Sequence, residues 1–182
     1  MSLRPLVLTL VLGSALSACV TAPSPSDYRA PQPARPVDAD RLWSGRWLEV
    51  ARLPDRLTDG CVAGASNYVL VSPDRVDVRD TCEEGQPGGR EKSIGGRGEI
   101  LDPGTNTKLR VRYFGGLVTW DYWVLDHDDA YTWFISADPT FERLFIFTRD
   151  VPTPAQVEQL TRRAQDLGYD VSRLEFPALP PR

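Results

Sequence analysis

The chain holds one histidine, one methionine and three cysteines in 182 residues, and the scarcity removes several kinds of chemistry at once. The lone histidine stands in His127-Asp128-Asp129, the composition of a solvated turn. No second ligand type at binding spacing accompanies it, so neither a metal site nor a histidine base is assembled there. There is no run of basic residues and no aromatic-basic platform, which argues against nucleic acid as a partner. No serine sits in a nucleophile elbow. Gly88-Gly89, Gly95-Gly96 and Gly98 are spaced for a loop and a bent strand, and none opens a helix that could cradle phosphate. No apolar run reaches the roughly 20 residues of a membrane-spanning helix. Between residues 42 and 149 no helical period is long enough to compete with extended structure.

What is present begins with a leader. Met1 to Arg4 carries a single positive charge and is followed by a short apolar run and small residues, the pattern of a secretion signal. The stretch Leu16-Ser17-Ala18-Cys19 resembles the lipobox of bacterial lipoproteins, in which the cysteine becomes the acylated first residue of the mature chain. The resemblance implies a signal peptide over 1–18, lipid on Cys19, and, because Val20 rather than Asp follows, sorting to an outer membrane. A multiply acylated cysteine would hold the protein to a bilayer durably. Cleavage after Ala18 removes Arg4 alone among charged residues and leaves 20 basic against 25 acidic groups, a mildly acidic chain.

Residues 19–37 carry prolines at 23, 25, 31, 33 and 36 and read as an extended, semi-rigid tether. At about 3 Å per residue they could hold a domain up to roughly 50 Å from the lipid. The remainder, 38–182, fits one domain. With Cys19 given to lipid, Cys61 and Cys82 are left as a pair in an oxidising compartment, where a disulfide is expected and two free thiols or a reactive cysteine are the competing readings.

Eight extended segments follow, near 45–53, 62–72, 75–83, 91–101, 107–114, 119–126, 131–137 and 142–149. Ser72-Pro73-Asp74, Asp102-Pro103-Gly104, Gly115-Gly116 and Asp138-Pro139 join them as turns. Such short connections favour an up-and-down antiparallel meander. One helix is well signalled: Thr153-Pro154-Ala155-Gln156 is a capping box with proline in the first turn, Val157, Leu160, Ala164 and Leu167 share a face, and Gly168 ends it. A last short strand is expected over 171–176. Leu109, Val111 and Tyr113 alternate with Lys108, Arg110 and Arg112, so that strand has one wet face. Tyr122 to Leu125 and Leu144 to Phe147 are apolar on both faces, and the helix is the only element available to cover them.

Three motifs then coincide. Gly45-Arg46-Trp47 resembles the opening G-x-W signature of the lipocalins, Thr119 to Asp126 is similar to the second signature, and Phe145 to Arg149 to the third. Leu48 stands where the family usually has Tyr. The likeness covers about 42–176 and is greatest to the bacterial outer-membrane lipocalins, which also carry a lipobox. It implies an all-β fold: an eight-stranded up-and-down antiparallel β-barrel with one C-terminal α-helix packed outside. It gives Gly45, Trp47 and Arg149 a structural role at the closed end, the arginine lying over the indole. Counting by twos from Arg149 places Phe147, Phe145 and Arg143 inward and Ile146 and Leu144 under the helix. By the same resemblance Tyr122, Val124, Tyr131, Trp133 and Ile135 line the lumen with Leu109, Val111 and Tyr113, while Trp123, Leu125 and Phe134 lie under the helix.

The implied function is binding, storage or transfer of an apolar ligand, a fatty acid or lysophospholipid, with Arg143 and Tyr68 as polar groups near the mouth. No cofactor is expected. The expected partners are the ligand and the membrane, and a homodimer is left open. Two rivals stand beside this reading. One is a barrel filled by its own rings, acting as an envelope structural or adaptor protein; the other is an enzyme on the same barrel, with Glu49 or Tyr113 as the candidate group.

Overall fold

The structure, a computed structural model, describes residues 28–181. The leader, Cys19 and the first part of the expected tether lie outside the described residues. A four-residue helix, α1 (Ala39–Leu42), leads into eight strands: β1 (Ser44–Arg52), β2 (Cys61–Ser72), β3 (Arg75–Glu84), β4 (Arg90–Ile100), β5 (Lys108–Tyr113), β6 (Val118–His127), β7 (Trp133–Ala137) and β8 (Leu144–Thr148). Each pairs antiparallel with the next, and β8 pairs back onto β1, so the sheet is a closed barrel. Closure gives every strand a neighbour on both sides, although the mouth ends of β2 and β4 run past their pairing with β1 and β5.

Strand direction defines two ends. β1 starts at the floor beside α1 and ends at the mouth. The mouth therefore carries the β1–β2, β3–β4, β5–β6 and β7–β8 connections. Trp43, Trp47 and Leu42 are fully buried at the floor with Phe134 and Leu109. Gly45 takes φ +66°, and a Cβ there would stand 3.1 Å from Arg149 Nη1. Glycine lets the strand start beneath that guanidinium. Gly96 leaves room of another kind: a Cβ would fall 2.5 Å from a Val111 methyl and 2.8 Å from the Tyr113 ring, which occupy the space instead.

The second helix, α2 (Pro154–Asp166), begins with the full capping box. Thr153 Oγ1 accepts from the Gln156 amide, and the Thr153 amide donates to Gln156 Oε1. Its buried Leu160 and Ala164 pack with Trp123, Leu125, Ile135, Leu144 and Ile146 on the outer wall. The doubly apolar strands are covered as their composition demanded. The expected final strand over 171–176 is absent. A single 3-10 turn, Val171–Arg173, and one bridge between Arg52 and Glu175 stand there instead.

Part of the expected tether is not free either. From Tyr28 to Val37 the chain lies along the barrel, with the Tyr28 ring edge-on to Trp123 at 4.9 Å and the Val37 amide donating to Thr105 O at 2.8 Å. Between these contacts Arg35 pairs with Asp129 at 2.6 Å. Proline content had suggested separation from the domain, yet Tyr28 and Val37 each bury an apolar body on it.

Cys61 and Cys82 are joined across neighbouring strands at the mouth, with Cα atoms 5.3 Å apart. Opening this bridge releases a loop of 21 residues in the unfolded chain and is expected to cost about 3 kcal/mol. Calorimetry with and without reductant should show a melting temperature lower by roughly 10 °C. No change would mean that the unfolded chain is already compact across this segment.

Candidate ligand-binding site in the barrel lumen

Above the packed floor the inner walls leave a cavity of about 280 Å³ that opens toward the mouth. Six of the sequence-predicted lumen residues line it: Tyr68, Val111, Tyr113, Tyr122, Phe145 and Phe147. Leu109, Val124 and Tyr131 face inward as expected but sit in the solid floor cluster beneath it. Tyr131 seals that end, its hydroxyl accepting from the Asp38 amide at 2.7 Å and its ring stacked on His127 at 4.8 Å. Arg143 stands at the rim, its guanidinium 4.0 Å from the centre of the Trp120 ring and paired with Asp55 at 3.0 Å. Tyr68 is deeper than expected, edge-on to Trp43 at 5.3 Å in the lower half of β2.

Two placements are corrected. Trp133 and Ile135 belong to the outer wall under α2, and Phe134 points inward, edge-on to Trp47 at 4.7 Å and stacked on Phe147 at 4.8 Å. Tyr131 adopts φ +57°, outside extended geometry. Alternation therefore cannot be carried from Tyr131 into the strand, which begins only at Trp133.

Halfway up, the wall becomes polar. Asp80 shares the inward face of β3 with Val76 and Val78, and its carboxylate accepts from Ser66 Oγ at 2.6 Å and from the Tyr113 hydroxyl at 2.7 Å. The Tyr122 hydroxyl lies 3.4 Å from that of Tyr113. Burial pushes the Asp80 carboxyl above its ordinary 3.8, against the pull of those two hydrogen bonds. Burial, reinforced by the nearby Asp80 charge, likewise raises the hydroxyls of Tyr68, Tyr113 and Tyr122. These phenols remain protonated donors at neutral pH.

Across the lumen the buried Glu49 meets Arg52 at 2.5 Å over Gly64, where a Cβ would stand only 3.3 Å from the Glu49 carboxylate. Burial raises this carboxyl too, opposed by the Arg52 charge. Near the mouth the indole N–H of Trp120 is buried with no hydrogen-bond partner among the described residues. Glu49, which the sequence offered as a candidate group for the enzyme reading, stands in the lumen wall. Asp80, Ser66 and Trp120 were missed, although the alternation Val76, Val78, Asp80 signals the inward phase of the aspartate.

The raised Asp80 has a consequence for stability. Its proton is held more tightly in the native state than in the unfolded chain. The native state is therefore favoured below about pH 4 and loses that advantage as pH rises through the native pKa. Urea midpoints between about pH 4 and about pH 7 should fall for the wild type and fall less for Asp80→Asn. Parallel slopes would show that Asp80 is not the titrating group.

A family model, the lipocalin-like domain, matches residues 37–179. The chain is a lipocalin. Among curated relatives this lipocalin is 29% identical over 141 residues to a temperature-induced lipocalin of Arabidopsis thaliana, covering 72% of this chain and 74% of that one. It is 28% identical over 142 residues to a lipocalin of Acanthamoeba polyphaga mimivirus, covering 72% and 79%. Among solved structures, insecticyanin from the tobacco hornworm Manduca sexta superposes with a TM-score of 0.61 at 18% identity, over 84% of this chain and 87% of that one. The structural likeness establishes the fold, a closed eight-stranded barrel with a C-terminal helix.

Proposed function

We propose that this lipocalin is an envelope lipoprotein, held to an outer membrane through Cys19, that takes the acyl chain of a fatty acid or lysophospholipid into its lumen. The observation that carries the reading is the cavity of about 280 Å³ between Phe147 below and Trp120 above. It falls just below the range of roughly 300 to 1,000 Å³ usual for ligand sites. An occupant is therefore short, or leaves its head outside. The grading of the wall supports the second arrangement. The half-buried Asp80 disfavours a second anion at mid-height, whereas the unpartnered Trp120 N–H and the Arg143 guanidinium supply donors near the rim. A carboxylate or phosphate head belongs there, with the chain threaded below.

The filled-barrel reading applies to the lower half alone, where Leu109, Val124, Tyr131 and Phe134 leave no room. Titration of tryptophan fluorescence with saturated fatty acids and lysophospholipids tests the proposal. Saturable quenching is expected for the wild type. Val111→Phe, which projects a ring into the cavity, should weaken it more than tenfold, a loss of about 1.4 kcal/mol or more of binding free energy, while leaving the far-ultraviolet dichroism unchanged. No response to either lipid class in the wild type, or equal affinity in Val111→Phe, overturns the assignment of the lumen.

A further inference from the structure

Exposed large apolar side chains gather mainly at the open end of the barrel. Five large apolar side chains are prominently exposed among the described residues. Val69 and Val71 lie on the outer face of β2 toward the floor. The other three are at the mouth. Phe114 and Leu117, 51% and 62% exposed, flank the glycine turn between β5 and β6. Phe176, 55% exposed, sits beside the β1–β2 connection, in the segment tied to the barrel by the Arg52–Glu175 bridge and the Ala178 amide on Val62 O. In the sheet order, the β5–β6 turn is across the opening from the start of β2. The exposed rings thus bracket the entrance, where a solvated rim would gain nothing from them.

The course of the N-terminal segment supplies the second observation. The amides of Arg29 and Ala30 donate to Pro139 O at 2.7 and 3.0 Å, within the β7–β8 connection at the mouth. From there the chain descends to the floor, where Arg35 meets Asp129 and Val37 meets Thr105. The described chain therefore begins at the mouth. Cys19 stands nine residues before Tyr28, a reach of at most about 30 Å. A bilayer that holds an acyl group on Cys19 lies within that reach of the mouth.

We infer that this lipocalin docks mouth-down on a phospholipid bilayer, with Phe114, Leu117 and Phe176 seated in the interface, so that an apolar ligand passes between membrane and lumen without crossing bulk water. The inference rests on the reading of Cys19 as the lipid anchor. Side chains of this size favour the boundary between headgroups and acyl chains, and an anchored domain needs little additional affinity to hold one orientation, because its local concentration at the surface is already high. Acidic and basic residues are interspersed around the rim, Glu84 with Arg90 and Lys92 among them, so the docking is apolar and calls for no particular lipid charge.

The test uses the full chain purified with its native modification and reconstituted into vesicles of phosphatidylethanolamine and phosphatidylglycerol. Amide hydrogen exchange is compared on the vesicles and after proteolytic release from them. Residues 114–117 and 174–178 are expected to exchange several-fold more slowly on the vesicle, while the floor turns at 72–75, 102–106 and 128–131 do not change. The triple substitution Phe114→Ser, Leu117→Ser, Phe176→Ser should still float with the vesicles, lose that protection, and deliver a fluorescent fatty acid more slowly. Intact mass and flotation report the anchor separately. A chain that carries acyl groups and floats, but shows protection at the floor or nowhere, overturns the orientation alone. A chain with no acyl group that fails to float overturns the anchor and the orientation with it.

Discussion

Replacing Trp47 with alanine is expected to cost about 3 to 5 kcal/mol and to lower the melting temperature by roughly 10 to 15 °C. The indole is fully buried. Its N–H donates to Leu42 O at 3.0 Å, its face carries the Arg149 guanidinium at 3.6 Å, and its edge meets Phe134 at 4.7 Å. Truncation removes all three contacts and opens a cavity in the one part of the barrel that has none. Arg149 then loses its aromatic partner, although its donors still reach Ser44 O, Arg46 O and Arg41 O. Those bonds tie β1 and α1 to the end of β8. Arg149→Met should consequently cost less than the tryptophan variant, since it keeps an apolar cover on the ring. Chemical denaturation of both variants beside the wild type measures the order. Equal or inverted costs would show that the guanidinium, not the indole, holds the floor.

The floor was legible in the sequence through the lipocalin signatures it resembles, since that resemblance gave Gly45, Trp47 and Arg149 their roles there. A glycine two residues before a tryptophan at the start of a strand, and an arginine at the end of the last strand, fix both the ends of the sheet and the phase of β8. The same holds for the wall under α2: Leu144 and Ile146 could be placed outside only because the helix supplies Leu160 and Ala164 at the right spacing. What failed is instructive for the same reason. β7 was phased through Tyr131, but alternation is a property of extended backbone, and Tyr131 is left-handed.

Asp80 escaped because a carboxylate, even one that continues the inward phase of Val76 and Val78, is the residue type least expected to face a lumen. Only tertiary partners, the Ser66 and Tyr113 hydroxyls, make its burial tolerable. The lumen was therefore readable in its apolar half and hidden in its polar half. The short helix α1 was hidden too, since four residues offer no period. The cavity itself is a volume left between side chains, and no residue pattern encodes how much of a barrel its rings will fill.

Arg52→Ala is the second large effect, again about 3 to 5 kcal/mol at neutral pH, for a reason opposite to that of Trp47. The guanidinium is almost wholly buried and binds the Glu49 carboxylate at 2.5 Å, the Glu175 carboxylate at 2.9 Å and Cys61 O at 2.7 Å. It thereby pins the end of β1 to the start of β2 and to the C-terminal segment. Its loss leaves Glu49 inside the barrel with no countercharge, and burial then raises the carboxyl further.

The pH dependence separates this loss from simple unpacking. With Arg52 gone, Glu49 can be accommodated only by taking up a proton, so the native state is relatively favoured at low pH and penalised as pH rises through the native pKa. The deficit of Arg52→Ala against wild type should thus shrink on acidification, as read from urea midpoints at matched pH. The double variant Glu49→Leu, Arg52→Met, which removes both charges and keeps the volume, should recover most of the stability. A deficit independent of pH, or a double variant no better than Arg52→Ala, would mean that Arg52 acts through Glu175 and Cys61 alone. The closing of the mouth would then owe nothing to the charge inside it.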